Sequence, residues 1–383
     1  MSKKIVYICN YATFFVSHRL PIALKAIEEG MDVHVFFGIS NYLEEEKSIS
    51  ILLSHNIKIK KFLFSRSGTN IIRESLGLLQ LIFSLAKLRP DLVHCISPKG
   101  ILYGGFASKI LRIKSLVLAI SGMGYLFTGK IYGYKKLIQF FYIRILNFIF
   151  KHNNKLVIVQ NKDDHAHLIN YYNLSEEDVT IILGSGIDLN YYKNYYKVED
   201  KKIITLVARM LYDKGIKEFV EAAKIVKNKI NNIEFHLVGP IDNENPARIK
   251  KEEIILWEDK KIIVWKNYQK NIREIYSHTT IACLPSYREG MPKALLEAAA
   301  CGVPVITTDT IGCRDAVIPG YTGDLVPVQN SIELANTILN LVTNKSKLEK
   351  YSNNARKFAE NKFDIQEVIT KTLSIYKNLI NKK

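Results

Sequence analysis

The sequence predicts an α/β protein of two domains, each built on a doubly wound parallel sheet. Strand-like apolar runs alternate with helix-length segments, an order typical of parallel sheets with helices on both faces. The alternation begins at Ile5 and restarts at Lys202. With 383 residues, the chain is long enough for two domains that each bury a core of their own.

The first half of the chain carries seven strand-like runs with helix-length segments between them. The polar segment 189–201, rich in Tyr and Lys, ends this series and contains the expected linker. We place an N-terminal Rossmann-like domain at 1–190 and the linker at 191–201. The strands are expected at 5–9, 33–37, 57–62, 92–94, 115–120, 156–159 and 179–183.

The second half repeats the alternation over 202–364, which predicts a second Rossmann-like domain. Neither half has a G-x-G-x-x-G pattern after its first strand, and this argues against a dinucleotide-dependent enzyme. The second series of strands is expected at 203–208, 234–238, 261–264, 280–284 and 303–307.

Cysteine usage and hydropathy bound the class further. The five cysteines show no disulfide or metal-ligand spacing, and buried, reduced thiols of a cytoplasmic protein explain them most simply. The apolar run at 5–9 is too short for the core of a signal peptide. No stretch approaches the ~20 apolar residues of a membrane span. We therefore expect a cytoplasmic chain.

The formal net charge of +17 predicts an anionic partner or surface. No zinc spacing, RNP-like aromatic strand or helix-turn-helix pattern is present, so nucleic acid is the poorer choice. Segment 130–155 interleaves aromatic and basic residues, and a helix there could lie in a membrane interface. A core helix with basic ends explains the pattern equally well. The basic members are Lys130, Lys135, Lys136, Arg144, Lys151 and Lys155.

Two carboxylates, Glu289 and Glu297, flank the expected start of a helix at Lys293. Eight residues at 1.5 Å each span ~12 Å along a helix axis, roughly the length from a sugar through a pyrophosphate to a ribose. The amides and the positive dipole end between the carboxylates suit a diphosphate. A surface Glu and an ordinary helix Glu at a strand–helix junction would give the same pattern.

Two cations follow the first strand of the second half. Arg209 falls at the carboxyl end of strand 203–208, and Lys214 lies near the start of the next helix. Ligands of open α/β sheets bind at that edge, where two cations could hold a diphosphate and neutralise it as it leaves. Either residue alone is compatible with a solvated loop charge. Together with the two carboxylates, they favour a binding site.

These residues carry a family resemblance. The pattern Arg209 to Lys214-Gly215, then Glu289-Gly290-x-Pro and Glu297, resembles the retaining family-4 glycosyltransferases of the GT-B fold. Further matching motifs lie at 184–188, 237–240, 301–306 and 320–323. Segments 121–124 and 312–317 resemble the bacterial subgroup that builds lipid-linked surface glycans.

The resemblance implies an architecture and an activity. An acceptor-binding and a nucleotide-sugar-binding domain would face each other across a cleft, with the last helix, 365–383, crossing back to the first domain. The implied enzyme is a retaining, metal-independent hexosyltransferase of capsule or O-antigen assembly, attached to the inner face of the cell membrane. Its donor would be a UDP-linked hexose or N-acetylhexosamine and its acceptor a polyprenyl-diphosphate-linked saccharide, with no cofactor.

The resemblance also implies roles for residues of the second half. Glu289 would bind hydroxyls of the donor sugar, and Glu297 would bind the ribose. Glu289, Arg209 and Lys214 form the implied catalytic set. The implied donor-binding residues are Gly239, Gly290, Met291, Pro292, Lys293, Ala294 and Glu297.

The acceptor site is less well defined by the sequence. Residues 10–19 contain no glycine, whereas family members often carry a glycine-rich loop there. Segment 121–124 lies where many relatives place a catalytic His, so none is assigned. Residues 17–19 are expected to begin the first helix and could meet an acceptor phosphate, although a helix cap explains them almost as well. The acceptor candidates are Ser17, His18, Arg19, His94, Ser97 and Gly122.

Other classes fit less well. A GT-B sugar-nucleotide isomerase, such as a UDP-N-acetylglucosamine 2-epimerase, needs no lipid acceptor, and neither segment 130–155 nor the Arg209–Lys214 pattern favours it. A glycosidase places its carboxylates ~5–10 Å apart around one bond. A non-catalytic sugar-nucleotide or membrane-binding protein has no need for the complete set of carboxylates and cations.

Overall fold

The computed structural model describes residues 2–40, 44–65, 70–122, 133–194, 200–243 and 245–382, and omits the side chains of Ser65, Tyr134 and Lys135. The chain forms two compact units: the first comprises Met1–Ser185 and Gln366–Lys383, and the second comprises Gly186–Ile365. Of the predicted features, Met123, Gly124, Lys130 and part of the polar segment, 195–199, lie outside the described residues.

The first unit is built on a parallel sheet of seven strands in the order β3-β2-β1-β4-β5-β6-β7. Its central strands are predominantly apolar and almost fully buried, because helices cover both faces of a parallel sheet. The strands are β1 (Lys4–Cys9), β2 (Asp32–Ile39), β3 (Lys58–Ser65), β4 (Leu92–Ile96), β5 (Ser115–Ile120), β6 (Lys155–Val159) and β7 (Val179–Ile181).

Eight helices accompany this sheet in the described part of the chain. They are α1 (Ala12–His18), α2 (Leu20–Glu28), α3 (Glu45–Ser54), α4 (Ile71–Leu88), α5 (Gly105–Ile110), α6 (Tyr134–Phe150), α7 (Lys162–Tyr172) and, from the end of the chain, α14 (Ile365–Asn381). A π-helical turn, Gly100–Gly104, leads into α5. None of the helices in the described ranges is both long and apolar enough to span a bilayer.

The second unit is built on a six-stranded parallel sheet in the order β10-β9-β8-β11-β12-β13. Its strands are β8 (Lys202–Val207), β9 (Ile233–Val238), β10 (Val264–Trp265), β11 (Ile281–Leu284), β12 (Val305–Thr308) and β13 (Gly323–Val326). Its helices are α8 (Ile216–Lys227), α9 (Lys251–Asp259), α10 (Ile272–Ser277), α11 (Lys293–Ala300), α12 (Ser331–Val342) and α13 (Lys345–Lys362). The two parallel-sheet α/β domains confirm the predicted fold class.

In each sheet the strand order reverses once. The reversal lies between β1 and β4 in the first unit and between β8 and β11 in the second. The loops after two such strands diverge to opposite faces, which leaves a crevice at their carboxyl ends where α/β proteins bind ligands. The pairing of β11 with β8, through Ile281 and Ile204, therefore brings the loops after these two strands together.

The start of the first helix differs from the prediction. Ser17 and His18 end α1 and Arg19 separates it from α2, so the expectation that these residues begin the first helix is wrong. The carboxylate of Glu45 accepts hydrogen bonds from the amides of Ala12 and Thr13, at 2.7 and 3.0 Å. This cap comes from more than thirty residues away, so no local pattern predicts it.

The last helix contributes a buried polar cluster to the first unit. The Tyr376 hydroxyl lies 2.5 Å from Nδ1 of His94 and 3.1 Å from the hydroxyl of Tyr7. Burial, and then the charge of Arg19, hold the pKa of His94 well below its ordinary value. The ring is therefore neutral in the folded protein. Leu379 of the same helix accepts through its carbonyl from Ser115 and Asn154.

This cluster predicts a pH dependence of stability. Because the pKa of His94 is lowered in the folded state, the unfolded chain binds the extra proton. The stabilisation is complete above the unfolded pKa, near 6.5, and is lost as the pH falls below it, by up to about 1.4 kcal/mol per pH unit. Thermal unfolding between pH 7.5 and 5 should show a smaller decrease in Tm for His94→Gln than for the parent protein. Equal decreases would contradict the assignment.

Candidate functional site

The loop after β8 carries Arg209 and Lys214. After Arg209 the chain makes a short 3-10 turn, Tyr212–Lys214, and enters α8 through Gly215. Gly215 has a φ of 70°, and a Cβ there would collide with the carbonyl oxygen of Pro285. The loop after β8 therefore lies directly against the end of β11, and only glycine permits this contact.

Lys214 and Glu289 form an ion pair at this edge of the sheet. Nζ of Lys214 lies 2.5 Å from Oε1 of Glu289, and the hydroxyl of Ser286 donates to the same oxygen at 2.9 Å. The two charged side chains are 15% and 16% exposed. Burial alone would lower the pKa of Lys214, but the carboxylates of Glu289 and Asp213 raise it above its usual value. The ammonium group of Lys214 is therefore held in its charged form.

Neighbouring loops hold Glu289 in place. The amide of Tyr287 donates to the carbonyl of Asp213 at 2.9 Å, and the hydroxyl of Ser286, whose single proton is shared with Glu289, lies 2.9 Å from the same carbonyl oxygen. The amide of Glu289 donates to the carbonyl of Ile311 at 3.1 Å. A Cβ at Gly312, whose φ is 77°, would meet the carbonyl oxygens of Glu289 and Gly290. The loops after β8, β11 and β12 are thus locked together around one carboxylate.

Arg209 has a carboxylate partner that the sequence did not indicate. Its Nη1 lies 2.5 Å from Oδ2 of Asp242, whose side chain is 3% exposed. Asp242 lies three residues after Gly239, in the loop that follows β9. The motif at 237–240 could have drawn attention to this loop, but not to the carboxylate beyond it.

Glu297 lies within α11 and is almost buried. Its Oε1 accepts a hydrogen bond of 2.8 Å from the hydroxyl of Tyr192 and lies 3.6 Å from Nζ of Lys293. Burial and then the nearby Glu297 carboxylate raise the pKa of Tyr192, so the phenol stays protonated and donates. Tyr192 was assigned from sequence to the linker, and sequence reasoning missed its contact with Glu297.

The start of α11 belongs to the same edge of the sheet. Pro292 precedes the helix, and its own side chain makes no capping hydrogen bond. Glu289 precedes this start and Glu297 follows it on the second turn, as predicted. Met291, Pro292, Lys293 and Ala294 lie at the helix start, Gly290 lies in the loop before it, and Gly239 directly follows β9. Their assigned roles stay predictions.

The acceptor candidates of the first unit do not form one group. Ser97, with a φ of 69°, exchanges hydrogen bonds with Asn10 across the β1/β4 reversal, at 2.7 and 3.0 Å. With Gly122 it lines a small pocket that is partly open to solvent. The other lining residues are Pro98, Ile101, Ile120, Ser121, Tyr142 and Leu146.

The remaining acceptor candidates lie elsewhere in the unit. His94 lies inside β4 rather than after it, and is buried against Tyr376. Arg19 is buried, and its guanidinium donates to the carbonyl of His18. The hydroxyl of Ser17 bonds to Nδ1 of His18, whose ring stacks on Phe14 at 4.4 Å. None of these residues lines the pocket beside Ser97.

Two doubly wound domains, with cations and carboxylates at a sheet edge of the second, define a protein of the GT-B glycosyltransferase class. Residues 4–173 match the family model described as glycosyl transferase 4-like, and residues 190–358 match the model of glycosyl transferases group 1. The chain belongs to the family-4 glycosyltransferases and is a glycosyltransferase, as the sequence motifs predicted.

Similar proteins include two bacterial glycosyltransferases. The capsular polysaccharide biosynthesis glycosyltransferase CapM of Staphylococcus aureus is 27% identical, with 95% of this chain and 96% of that protein covered. The N,N'-diacetylbacillosaminyl-diphospho-undecaprenol α-1,3-N-acetylgalactosaminyltransferase of Campylobacter jejuni is 26% identical, with 94% and 95% covered.

A solved structure supports the fold. The structure of Anabaena HepE in complex with UDP and glucose matches with a TM-score of 0.76 at 19% identity, covering 97% of this chain and 99% of that one. At this identity the likeness bears on the fold alone, and it agrees with the two parallel-sheet α/β domains described above.

Proposed function

We propose that this glycosyltransferase moves a hexose or N-acetylhexosamine from a UDP-sugar to a lipid-linked saccharide, with retention of anomeric configuration. The observation that carries the proposal is the convergence of Arg209, Lys214 and Glu289 at the strand-order reversal of the second unit, beside the start of α11. The Campylobacter relative is named for a diphospho-undecaprenol-linked acceptor, and the HepE structure contains UDP. Both names agree with the proposed substrates.

The chemistry assigned to this edge is stabilisation of a leaving diphosphate. When the bond between the sugar C1 and the phosphate oxygen breaks, negative charge grows on the diphosphate. Arg209, Lys214 and the amino end of α11 place positive charge where that anion would lie. We assign these groups the charge neutralisation and propose that the enzyme needs no divalent ion.

The carboxylates have complementary roles in this proposal. Glu297, buried in α11 beside the Tyr192 hydroxyl, would bind the ribose hydroxyls. Glu289, held by Lys214 and Ser286, would bind hydroxyls of the donor sugar. In a retaining transfer the acceptor oxygen bonds to C1 on the face that the diphosphate leaves. The departing phosphate oxygen is then the nearest base for the acceptor proton.

The proposed location is the inner face of the cell membrane, because a lipid-linked acceptor is confined there. Helix α6 supports this, since its inner side chains, Leu146, Ile149 and Phe150, are buried while large apolar side chains on its outer face are exposed. Arg144 on this helix is exposed and lies 4.8 Å above the ring of Phe140. Arg144 is therefore not part of the core.

The first test removes the cations one at a time. Arg209→Ala and Lys214→Ala should each lower turnover by at least ~10²-fold, because each cation stabilises charge that grows in the transition state. Lys217→Ala, in the first turn of α8, is the matched control and should leave turnover unchanged. Nucleotide release from a panel of UDP- and GDP-sugars, with and without a membrane-lipid extract, measures this. Near-parental turnover in either cation variant would refute the assignment.

Two further arms of that assay test the reaction class. A chelator should leave the activity of the parent protein intact, and a loss restored by a divalent ion would contradict the proposed metal independence. Transfer should require the acceptor. Conversion of the donor in its absence to another sugar nucleotide would indicate the isomerase instead.

The second test separates the two carboxylates. Glu297→Ala should weaken the binding of UDP itself, because its proposed partner is the ribose. Glu289→Ala should leave UDP binding nearly unchanged and depress transfer, because its proposed partner is the sugar. Titration calorimetry with UDP and initial rates measure both effects, with the exposed Glu349→Ala of α13 as control. The reverse pattern would show that the two roles are exchanged.

A further inference from the structure

Three neighbouring helices of the first unit share one side of the sheet. Phe106 of α5 contacts Phe148 of α6, with ring centroids 5.6 Å apart. Tyr103, in the turn that leads into α5, donates a 2.6 Å hydrogen bond to Glu74 of α4. Helix α5 therefore lies between α4 and α6 and is in contact with both.

Helix α4 is apolar on two sides. Its inner side, with Leu81 and Leu85, is fully buried in the core. Its outer residues recur every three or four positions, so they form a second stripe along the helix. These outer residues, 48–79% exposed, are Ile71, Ile72, Leu76, Leu79 and Phe83.

Helix α6 extends this exposed apolar surface. Single exposed hydrophobic residues are ordinary in proteins, but ten large ones on neighbouring helices indicate a surface that meets a partner. The outer residues of α6, 40–58% exposed, are Leu137, Ile138, Phe140, Phe141 and Phe148.

The charge on these helices identifies the partner. Glu74 is the only acidic residue within α4, α5 and α6, and it is mostly buried in an ion pair of 3.0 Å with Lys99. The cations on the outer faces are Arg73, Lys87, Lys136 and Arg144, all exposed. Two copies of this surface facing each other would oppose like charges, whereas anionic headgroups would neutralise them. An anionic bilayer is therefore favoured over a second copy of the chain.

We propose that α4 and α6 together form a membrane-docking surface, with the outer apolar side chains at the acyl boundary and the four cations at the headgroups. The inference deepens the proposed function and rests on it, because a lipid-linked acceptor requires the enzyme at the bilayer. It assigns the larger apolar contribution to α4, which the sequence pattern of segment 130–155 did not include.

The test uses full-length protein and vesicles of phosphatidylcholine with or without phosphatidylglycerol. Replacing Ile72, Leu76, Leu79 and Phe83 together by Ser should lower partitioning onto anionic vesicles at least ~10²-fold, because apolar area no longer leaves water. Replacing Lys87, Lys136 and Arg144 together by Gln should lower it about fivefold per cation near the surface and reduce its salt dependence.

Matched controls isolate the surface. Replacing Ile255, Leu256 and Ile332 together by Ser should not change partitioning. These side chains are 42–65% exposed and belong to the second unit. Melting temperature is measured for every variant. If the fourfold variant fails to fold, the single variants Ile72→Ser and Phe83→Ser are tested instead, because both side chains are largely exposed. The α4 variant should lose transfer to a lipid-linked acceptor while transfer to a short water-soluble analogue is retained.

A folded α4 variant that partitions like the parent protein would overturn the docking surface. Light scattering that shows a parent dimer and a monomeric α4 variant would assign the face to a second copy instead. The vesicle assay contains neither donor nor acceptor. Failure of the proposed function would therefore appear separately, as a parent protein that binds vesicles but transfers to no acceptor.

Asp242 lies in a loop that is held in place by the neighbouring loop. The loop after β9 folds against the loop after β8 through three backbone hydrogen bonds: Met210 to Pro240, Tyr212 to Ala247 and Ile249 to Met210, at 2.9–3.0 Å. A Cβ at Gly239, whose φ is 141°, would meet the carbonyl oxygen of Ala208.

The buried Asp242 carboxylate is the part of this loop that contacts Arg209. Its partner guanidinium is 37% exposed, so one side of Arg209 is held while another side stays accessible. A long arginine side chain loses rotamer freedom when it binds an anion. A fixed carboxylate that has already ordered it reduces that loss.

We infer that Asp242 is a positioning residue that orients Arg209 toward the leaving diphosphate. The inference rests on the proposed role of Arg209. Asp242→Asn should lower kcat about tenfold through this coupling, and Asp242→Glu, which keeps the charge, should recover part of it. The exposed Asp259→Asn of α9 is the control and should have no effect.

A double-mutant cycle separates positioning from general stability. In an Arg209→Ala background, Asp242→Asn should cause no further loss of kcat, because the group it orients is gone. The same fold-loss in both backgrounds would show that Asp242 acts only on the fold and would overturn the inference. If Arg209→Ala alone is fully active, the proposed role of Arg209 fails instead.

Discussion

The pairing of β8 with β11 is the constraint on which the candidate site depends. These strands are separated in sequence by three helices and two strands of the sheet, yet they lie side by side where the strand order reverses. Their loops then meet so closely that Gly215 touches the backbone of Pro285. The ion pair of Lys214 with Glu289 follows from this contact. A parallel sheet with another strand between β8 and β11 would separate the two groups.

Each cation of the candidate site is paired with a carboxylate. Lys214 and Arg209 each have a carboxylate oxygen at 2.5 Å, so neither partly buried cation is left uncompensated. Removing one partner from such a pair is costly, because the remaining charge is left in a poorly solvated place. The two pairs thus keep both cations ordered at this edge of the sheet.

The amides at the start of α1, in the first unit, already have an anionic partner. They donate to the carboxylate of Glu45. In the second unit, Pro292 before α11 makes no side-chain capping hydrogen bond. An anion near α1 would meet a negative charge, whereas one near α11 would lie at the sheet edge that carries Lys214 and Arg209. This contrast supports the proposal that a diphosphate binds to the second unit.

The sequence by itself determined the alternation of strands and helices and the placement of Arg209, Lys214 and Glu289 at strand ends, because these depend on local apolar runs and on a general rule for parallel sheets. Only the tertiary structure decided the partners of these residues. Asp242, Tyr192 and Glu45 act across 32 to 105 positions of sequence, and no local periodicity encodes such contacts. The outer stripe of α4 was also decided by the tertiary structure. Its apolar composition is typical of a core helix, and its exposure depends on which surfaces the rest of the fold leaves uncovered.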